Sequence, residues 1–237
     1  VIVRSGDHQR RFDIVLYVNG MPLAVLELKR AGSAHADVAA AHAQLETYVR
    51  ELPMAFRFCV ATVASDGILA KYGTPFTPLN HFAPWNVDDD GKVISLDDTL
   101  DGEHRTGLEV LLDGLFNAER FLQIIRDYTA FDSTTKGLVK RIAKPHQYFA
   151  VSNAVASTIA AVKSNGKAGV VWHTQGSGKS MEMELYTARV IRHPALLNPT
   201  IVVITDRTEL DGQLFDTFTQ SELLPEKPVQ VKRRSDL

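Results

Sequence analysis

Residues 10–30 read RRFDIVLYVNGMPLAVLELKR, two apolar runs separated by an Asn-Gly pair. Runs of this kind, rich in β-branched and aromatic residues and joined by Asn-Gly, are typical of a β-hairpin. We therefore predict strands over Phe12–Val18 and Leu23–Lys29, with Asn19-Gly20 as the turn. Because helical spacing of apolar residues follows over Ala36–Leu52, the hairpin belongs to a mixed α/β domain.

Three polar side chains of the predicted hairpin can share one face. Residues two apart in a strand point the same way, so Glu27 and Lys29 lie on one side of the sheet. Regular pairing across a two-residue turn would set Asp13 opposite Leu26, on the wrong side. A three-residue loop, or one bulge near Met21-Pro22, would set Asp13 opposite Glu27. A functional role for these residues therefore predicts an odd-numbered loop or one bulge in this hairpin.

The shared face of this hairpin suits a metal-dependent reaction. Asp13 and Glu27 can hold Mg²⁺ through carboxylate oxygens, the ligands that this ion prefers. The ion can activate water, while Lys29 orients or polarises the nucleophile. The alternative is a strand edge with a salt-bridged Glu and Lys, because a Glu-x-Lys sequence by itself is a weak signal.

Two polar residues of the predicted helix could assist the same site. Gln44 and Tyr48 are four positions apart and therefore share a helical face. That face differs from the apolar stripe of Leu45 and Val49, so we expect Gln44 and Tyr48 to point away from the core. There they position a phosphate or the lysine of the hairpin, or they are simply exposed to solvent.

The remaining elements of the first half continue the α/β pattern. The sequence predicts a strand at Ala55–Val63 and two helical pieces at Leu108–Asp127. The basic segment Lys136–Lys144 is interpreted as a linker. We therefore place one domain at residues 1–135 and a second at residues 136–237.

A glycine-rich loop divides the predicted elements of the second domain. The pattern predicts a helix over Gln147–Lys163, a strand over Gly169–His173, a helix over Lys179–His193 and a strand over Thr200–Asp206. A strand, a helix and a strand in this order form a βαβ unit, whose two strands normally lie in one parallel sheet.

The glycine-rich loop, TQGSGKS, is typical of a nucleotide phosphate site. Backbone N–H groups and a helix N-terminus can wrap a phosphate where glycines allow close approach. Lys179 would reach the β- and γ-phosphates, and the Ser180 hydroxyl would ligate Mg²⁺. The full GxxxxGK[ST] pattern has its first glycine where this chain has His173, so the match is imperfect. The candidate phosphate-binding residues are Thr174, Gly176, Ser177, Gly178, Lys179 and Ser180.

Asp206 allows two interpretations. It ends the apolar run IVVITD and could be a Mg²⁺-binding Walker B aspartate, but Arg207 follows it where a helicase-type acidic pair requires Glu. We therefore prefer a DNA-contacting or coupling loop at Asp206–Gln213. The catalytic acidic pair is then expected beyond Leu237.

Composition sets few limits on function. The chain has 26 Lys and Arg against 28 Asp and Glu, a net charge of −2, which neither favours nor excludes nucleic-acid binding. A single cysteine, Cys59, excludes an internal disulfide framework. No apolar run approaches the roughly 18 residues of a membrane span, so we expect a cytoplasmic protein.

His35, His42 and His173 are interpreted as structural or exposed, because no carboxylate–histidine spacing organises them as metal ligands.

Taken in order, these segments resemble the N-terminal part of the R (restriction, motor) subunit of type I restriction-modification enzymes. Residues 10–30 are similar to that family's PD-(D/E)xK endonuclease core, with Asp13, Glu27 and Lys29 in the catalytic positions. The segment AQLETY resembles the QxxxY element of the same RecB-like branch, which falls on Gln44 and Tyr48.

The second half carries the motor part of the resemblance. KPHQYFAV resembles the family's adenine-reading segment and places Gln147 on the base. WHTQGSGKS and TDRTELDGQ resemble motifs I and Ia of superfamily 2 helicases. The resemblance thus implies a PD-(D/E)xK endonuclease domain followed by the start of a RecA-like helicase lobe, and so a fragment of the subunit.

The resemblance also implies cofactors and partners. It implies Mg²⁺ and ATP, double-stranded DNA as substrate, and the methylation and specificity subunits of a restriction complex, with no membrane. The whole subunit would translocate DNA by ATP hydrolysis and cut it. Two alternatives remain open: a RecB-like repair nuclease-helicase, and a nucleotide-regulated binding module in which the hairpin is only structural.

Overall fold

The computed structural model describes residues 1–30, 37–95, 99–100, 103–135, 137–206, 208–231 and 233. The chain divides into two compact units. The first contains Val1–Thr129 and Lys140–Pro145, and the second contains Ala130–Val139 and His146–Leu237. Helices and strands both occur, so the predicted mixed α/β class is confirmed.

A four-stranded sheet forms the centre of the first unit. Its spatial order is β3-β4-β5-β6, with the β4–β5 pair parallel and its two neighbouring pairs antiparallel. A separate antiparallel pair, β1 and β2, precedes it, and another short pair, β7 and β8, follows it. The strands are β1 (Ile2–Ser5), β2 (His8–Arg11), β3 (Ile14–Val18), β4 (Met21–Leu28), β5 (Ala61–Ser65), β6 (Ala70–Gly73), β7 (Thr99–Leu100) and β8 (Glu103–His104).

The β3–β4 hairpin forms as the sequence predicts. Asn19 and Gly20 both have positive φ, 50° and 79°, the conformation that lets an Asn-Gly pair close a two-residue hairpin turn. The predicted strand at Ala55–Val63 is wrong in its first half. Pro53–Phe56 forms a 3-10 helix instead, because proline fixes φ and cannot donate to a sheet, and β5 begins only at Ala61.

Helix α1 (Val38–Glu51) packs against the sheet and closes the core of the first unit. The Asp37 carboxylate caps its N-terminus by accepting from the Ala40 N–H at 2.8 Å. The helix ends just before Pro53, as predicted. The core joins aromatic and aliphatic side chains from the hairpin, α1 and the segments beyond it, including Phe12, Val25, Ala41, Leu45, Tyr48, Leu52, Phe56 and Phe82.

Two helices complete the first unit and confirm the two predicted helical pieces. They are α2 (Gly107–Leu115) and α3 (Ala118–Asp127). A capping box starts α2, since Thr106 and Glu109 each accept from the other's backbone N–H. The Asn117 side chain caps α3 by accepting from the Arg120 N–H at 3.2 Å.

The predicted linker Lys136–Lys144 is wrong over most of its length. Strand β9 (Thr129–Thr134) is followed by β10 (Gly137–Ile142). The β-branched and aliphatic residues of GLVKRI favour an extended strand. Its basic residue Lys140 is accommodated because its Nζ donates to the Cys59 carbonyl at 2.7 Å.

Three long helices dominate the second unit, and the first two confirm the two helices predicted there. They are α4 (Pro145–Val162), α5 (Lys179–Arg192) and α6 (Thr208–Gln220). Because α6 begins at Thr208, the loop predicted at Asp206–Gln213 is helical over most of its length. Short 3-10 helices occur at Leu79–His81 and Pro194–Leu196.

Among the described residues, no helix combines the length and apolarity needed to cross a membrane.

The two strands predicted at Gly169–His173 and Thr200–Asp206 do not form. Within the described residues neither segment belongs to a sheet, and Trp172 and Ile204 are 89% and 90% exposed. A parallel strand exists only through hydrogen bonds to a neighbouring strand. Apolar sequence alone therefore does not produce the predicted parallel sheet here.

Candidate functional sites

The hairpin contains the irregularity that an active site would require. Its turn has two residues, so uninterrupted pairing would place Asp13 opposite Leu26. Instead the register shifts by one residue within the hairpin, with Leu23 as the extra residue of β4. Ile14 consequently pairs with Leu26, which brings Asp13 level with Glu27. The predicted bulge is confirmed, one residue beyond the predicted position.

The three polar side chains of the hairpin converge. The Lys29 Nζ lies 2.6 Å from Glu27 Oε1, so these two side chains share a face as predicted. The Leu28 N–H donates to Asp13 Oδ2 at 2.9 Å, which holds the exposed Asp13 carboxylate at the end of β4. The structure thus brings Asp13, Glu27 and Lys29 together.

Glu27 is buried and only partly neutralised. The residue is 4% exposed, and no hydrogen-bond donor among the described residues reaches its buried Oε2 atom. A buried carboxylate oxygen without a partner is costly. Burial raises the pKa of Glu27, and the nearby Asp13 charge raises it further, while the hydrogen bond from Lys29 lowers it. A cation held by Asp13 and Glu27 would remove this penalty, so the residues fit a divalent metal ion.

Tyr48 lies beside this carboxylate but not on an outward face, so that prediction is wrong. The residue is 4% exposed, and its ring centroid lies 4.7 Å from that of Phe12. Its hydroxyl donates to the Arg11 carbonyl at 3.1 Å. An aromatic residue can bury its ring in the core while its hydroxyl remains at a polar site, which the helical pattern alone did not indicate.

Gln44 lies one helical turn before Tyr48 and is half-buried. Burial, followed by the negative charge of Glu27, raises the pKa of Tyr48 to about 12, and a hydrogen bond between Gln44 and Tyr48 partly offsets this. Tyr48 therefore stays a neutral hydroxyl near neutral pH. The structure places Gln44 and Tyr48 next to the Asp13–Glu27–Lys29 cluster, which sequence spacing alone could not establish.

The second candidate site is the glycine-rich loop before α5. Gly176 and Gly178 have φ values of 82° and 87°, a left-handed conformation that glycine adopts readily. The Lys179 Nζ donates to the carbonyls of His173 and Thr174, at 3.0 and 2.7 Å. The loop lysine therefore contacts the backbone of its own loop, at the N-terminus of a helix. The remaining predicted residues, Ser177 and Ser180, follow the same loop into the first turn of α5.

Gln147 lies against this loop. The residue is 3% exposed, and its Nε2 donates to the carbonyls of Ser177 and Gly178, at 3.2 and 3.3 Å. The predicted base-reading residue and the predicted phosphate loop are therefore neighbours within the second unit.

Comparisons with known proteins match the two halves of the chain to two families. Residues 1–81 match the family of type I restriction enzyme R protein N termini, and residues 146–237 match the SWI2/SNF2 ATPase family. The type I restriction enzyme HindI endonuclease subunit of Haemophilus influenzae is 43% identical over 99% of this chain. This chain belongs to the R proteins of type I restriction enzymes.

Other type I restriction enzyme endonuclease subunits match a similar share of this chain at lower identity. The MjaIXP endonuclease subunit of Methanocaldococcus jannaschii is 33% identical over 89% of this chain, and a Staphylococcus aureus endonuclease subunit is 23% identical over 90%. The chain covers 22% of the Haemophilus protein and 21% of each of the other two. It thus spans about a fifth of the length of these relatives.

The histidines of the chain differ in their surroundings. His42 is buried with Nε2 3.0 Å from the Thr77 carbonyl, which confirms its structural interpretation. His35 lies outside the described residues. His173, interpreted as structural or exposed, has Nδ1 2.7 Å from Glu182 Oε1, and His146 lies nearby. Sequence reasoning missed Glu182 and His146 because the three residues come from separate segments, and the loop and helices bring them together.

Proposed function

We propose that the first unit is a Mg²⁺-dependent DNA endonuclease domain of the PD-(D/E)xK, RecB-like class. The observation that carries the proposal is the bulged register that sets Asp13 level with Glu27, beside Lys29. A regular hairpin of the same composition would place the two carboxylates on opposite faces. The match of residues 1–81 to R protein N termini supports the same proposal.

Each residue of this cluster has a distinct role in the proposed reaction. Asp13 and Glu27 would hold the ion through their carboxylate oxygens, including the buried Glu27 Oε2 that has no donor among the described residues. A bound Mg²⁺ supplies an activated water and stabilises the negative charge that develops on the phosphate. Lys29 carries a positive charge that orients the nucleophile.

Two residues of α1, Gln44 and Tyr48, support the hairpin cluster. The Tyr48 hydroxyl lies beside Glu27, and the Gln44 side chain forms a hydrogen bond with Tyr48, so the two would restrict where the Glu27 carboxylate can move. Restricting a ligand in this way keeps a metal site in its productive geometry. We therefore assign Gln44 and Tyr48 to the site as positioning residues.

We propose that the second unit binds ATP through its glycine-rich loop. Backbone N–H groups near Gly176 and Gly178, with Lys179 and the Ser180 hydroxyl, would hold the phosphates and their Mg²⁺. Gln147 would contact the adenine. The match of residues 146–237 to SWI2/SNF2 ATPases supports a nucleotide-driven motor. As partners we propose double-stranded DNA and the methylation and specificity subunits of a type I restriction complex, a proposal that the similarity to type I restriction enzyme endonuclease subunits supports.

The proposal is tested by two lysine substitutions in the complete R subunit, assembled with its methylation and specificity subunits. We expect Lys29→Ala to abolish DNA cleavage and to leave ATP hydrolysis intact, because Lys29 lies in the nuclease cluster. We expect Lys179→Ala to abolish both, because cleavage would depend on translocation. Cleavage assays on circular DNA and phosphate-release assays measure the two activities.

A matched control separates these effects from a general loss of positive charge. Lys92 is exposed in the first unit and lies outside both clusters, so Lys92→Ala should leave cleavage and ATP hydrolysis unchanged. Normal cleavage by Lys29→Ala would show that the hairpin has no nuclease role and would favour a purely structural ion pair.

A further inference from the structure

A second cluster of potential metal ligands lies beside the glycine-rich loop. It consists of His146 in the first turn of α4, His173 just before the loop, and Glu182 in the first turn of α5. One ligand atom from each residue lies within 4.8 Å of the other two. We propose that these three side chains bind a divalent transition-metal ion of the zinc type.

The distances between the ligand atoms suit such an ion after small movements. Glu182 Oε1 lies 2.7 Å from His173 Nδ1 and 3.8 Å from His146 Nε2. Tetrahedral Zn²⁺ with bonds near 2.0–2.1 Å holds its ligand atoms about 3.4 Å apart. One distance must therefore lengthen by about 0.7 Å and the other shorten by about 0.4 Å, which small side-chain rotations can achieve.

The donor set selects the kind of metal. Two imidazole nitrogens and one carboxylate oxygen suit Zn²⁺, Co²⁺ or Ni²⁺, whereas Mg²⁺ prefers oxygen ligands and retains water. This cluster therefore differs in chemistry from the Asp13–Glu27 pair of the first unit. Three protein ligands on Zn²⁺ leave a fourth position open to water.

Burial and access are both compatible with metal binding. Glu182 is 6% exposed, so its carboxylate is already ordered before an ion arrives. The side chains of His146 and His173 are 37% and 23% exposed, which leaves a route from solvent. Binding a doubly charged cation to one carboxylate and two neutral imidazoles gives the site a net positive charge.

Metal binding at this site would change the hydrogen bonding of the glycine-rich loop. His146 Nε2 now lies 2.9 Å from the Ser177 carbonyl, so this nitrogen carries the hydrogen in that bond. Coordination needs the lone pair of the same nitrogen, so His146 must release the Ser177 carbonyl when it binds the ion. The site thereby couples metal binding to the hydrogen bonding of the predicted phosphate loop.

The proposal is tested by calorimetric titration of the 237-residue chain with Zn²⁺ in an excess of Mg²⁺. Loss of an outer-shell partner already costs about 10–100-fold in affinity, so we expect Glu182→Gln and His173→Gln each to weaken Zn²⁺ binding by more than about 100-fold. Two controls should bind Zn²⁺ as the unaltered chain does. They are His81→Gln, which removes an exposed histidine of the first unit, and Glu46→Gln, which removes an exposed carboxylate outside both clusters.

Equal Zn²⁺ affinity in Glu182→Gln and the unaltered chain would overturn the proposal, and so would loss of binding in His81→Gln alone. A measurement without any substitution guards against variants that fail to fold. Co²⁺ bound by the unaltered chain should give the intense visible absorption of a four-coordinate ion. The weak spectrum of hydrated, six-coordinate Co²⁺ would leave His173 and Glu182 as an ordinary hydrogen-bonded pair and the proposal refuted.

Discussion

Glu27 combines features that cost stability with features that are typical of functional carboxylates. Its carboxylate is buried, has Asp13 as a like-charged neighbour, and forms an ion pair with Lys29. The folded chain therefore disfavours the charged form of Glu27, which is the form that a metal ion needs. Such perturbed carboxylates are concentrated at functional sites.

The raised pKa of Glu27 predicts that the free energy of unfolding depends on pH. Because the folded chain raises this pKa above its usual 4.5, the folded state holds the proton over a pH range in which the unfolded state has lost it. The stability of the metal-free chain therefore falls as pH rises from 4.5 through the raised value. Glu27→Gln has no such titration, so its free energy of unfolding should increase relative to that of the unaltered chain as pH rises.

Urea denaturation at several pH values, in buffer free of divalent metals, measures this difference. The control is Glu46→Gln on α1, which removes a carboxylate whose side chain is 61% exposed. A Glu27→Gln difference that stays constant between pH 4 and pH 7 would mean that Glu27 ionises as freely in the folded chain as in the unfolded one.

At the scale of elements, the register of β4 is held from both sides. Its bulge sets the pairing with β3, and its parallel pairing with β5 continues past the strand end, where the Lys29 N–H donates to the Ser65 carbonyl at 2.8 Å. A one-residue slip would move every β4 side chain to the opposite face. The two ladders together keep Glu27 and Lys29 on the face that Asp13 reaches.

Two helical glycines predict opposite responses to the same substitution. In α2, a Cβ on Gly114 would overlap the Trp85 indole, which is 1% exposed. Gly114→Ala should therefore destabilise the first unit by about 1–3 kcal/mol, the usual cost of overpacking a core. In α6, a Cβ on Gly212 meets nothing within 4 Å, so Gly212→Ala should stabilise that helix by about 0.5–1 kcal/mol.

Thermal or urea unfolding of the two variants measures these changes, and each variant is the control for the other. Similar effects of both substitutions would contradict the close packing of α2 against Trp85. A destabilising Gly212→Ala would indicate that the exposed face of α6 contacts something in solution.

At the scale of the whole molecule, each unit contains its own candidate site. The carboxylate–lysine cluster lies within Val1–Thr129, and the glycine-rich loop lies within His146–Leu237. No side chain of either cluster comes from the other unit. Binding at the two sites of this chain should therefore be separable by mutation.

We expect Asp13→Asn to weaken Mn²⁺ binding at the hairpin and to leave nucleotide binding unchanged, because the proposed metal ligand Asp13 belongs to the first unit. We expect Lys179→Ala to weaken nucleotide binding and to leave Mn²⁺ binding unchanged. Electron paramagnetic resonance follows Mn²⁺, and fluorescence of an ATP analogue follows the nucleotide. If Asp13→Asn and Glu27→Gln both bind Mn²⁺ as the unaltered chain does, the hairpin is structural.

Local sequence patterns predicted many of the helices and strands, and they failed for strands whose formation depends on a neighbouring strand. Helices α1 to α5 and the β3–β4 hairpin formed as predicted because apolar spacing, caps and an Asn-Gly turn act within a few residues, whereas α6 formed where a loop was predicted. The strands predicted at Gly169–His173 and Thr200–Asp206 did not form, because a parallel strand needs neighbours that its own sequence does not contain. The strand predicted from Ala55 began late for a local reason, since a 3-10 helix starts at Pro53.

The sequence by itself determined which residue types were available for chemistry: two carboxylates and a lysine near an Asn-Gly turn, and a glycine-rich loop ending in Gly-Lys-Ser. It also showed that Asp13 and Glu27 lie on the same face of the sheet only if the hairpin has an odd-numbered loop or one bulge. The tertiary structure alone decided that the bulge occurs at β4, that the Tyr48 ring is buried, and that His146, His173 and Glu182 meet. The reason is that sequence spacing reports neighbours along one element, whereas these contacts join separate elements whose packing depends on the whole unit.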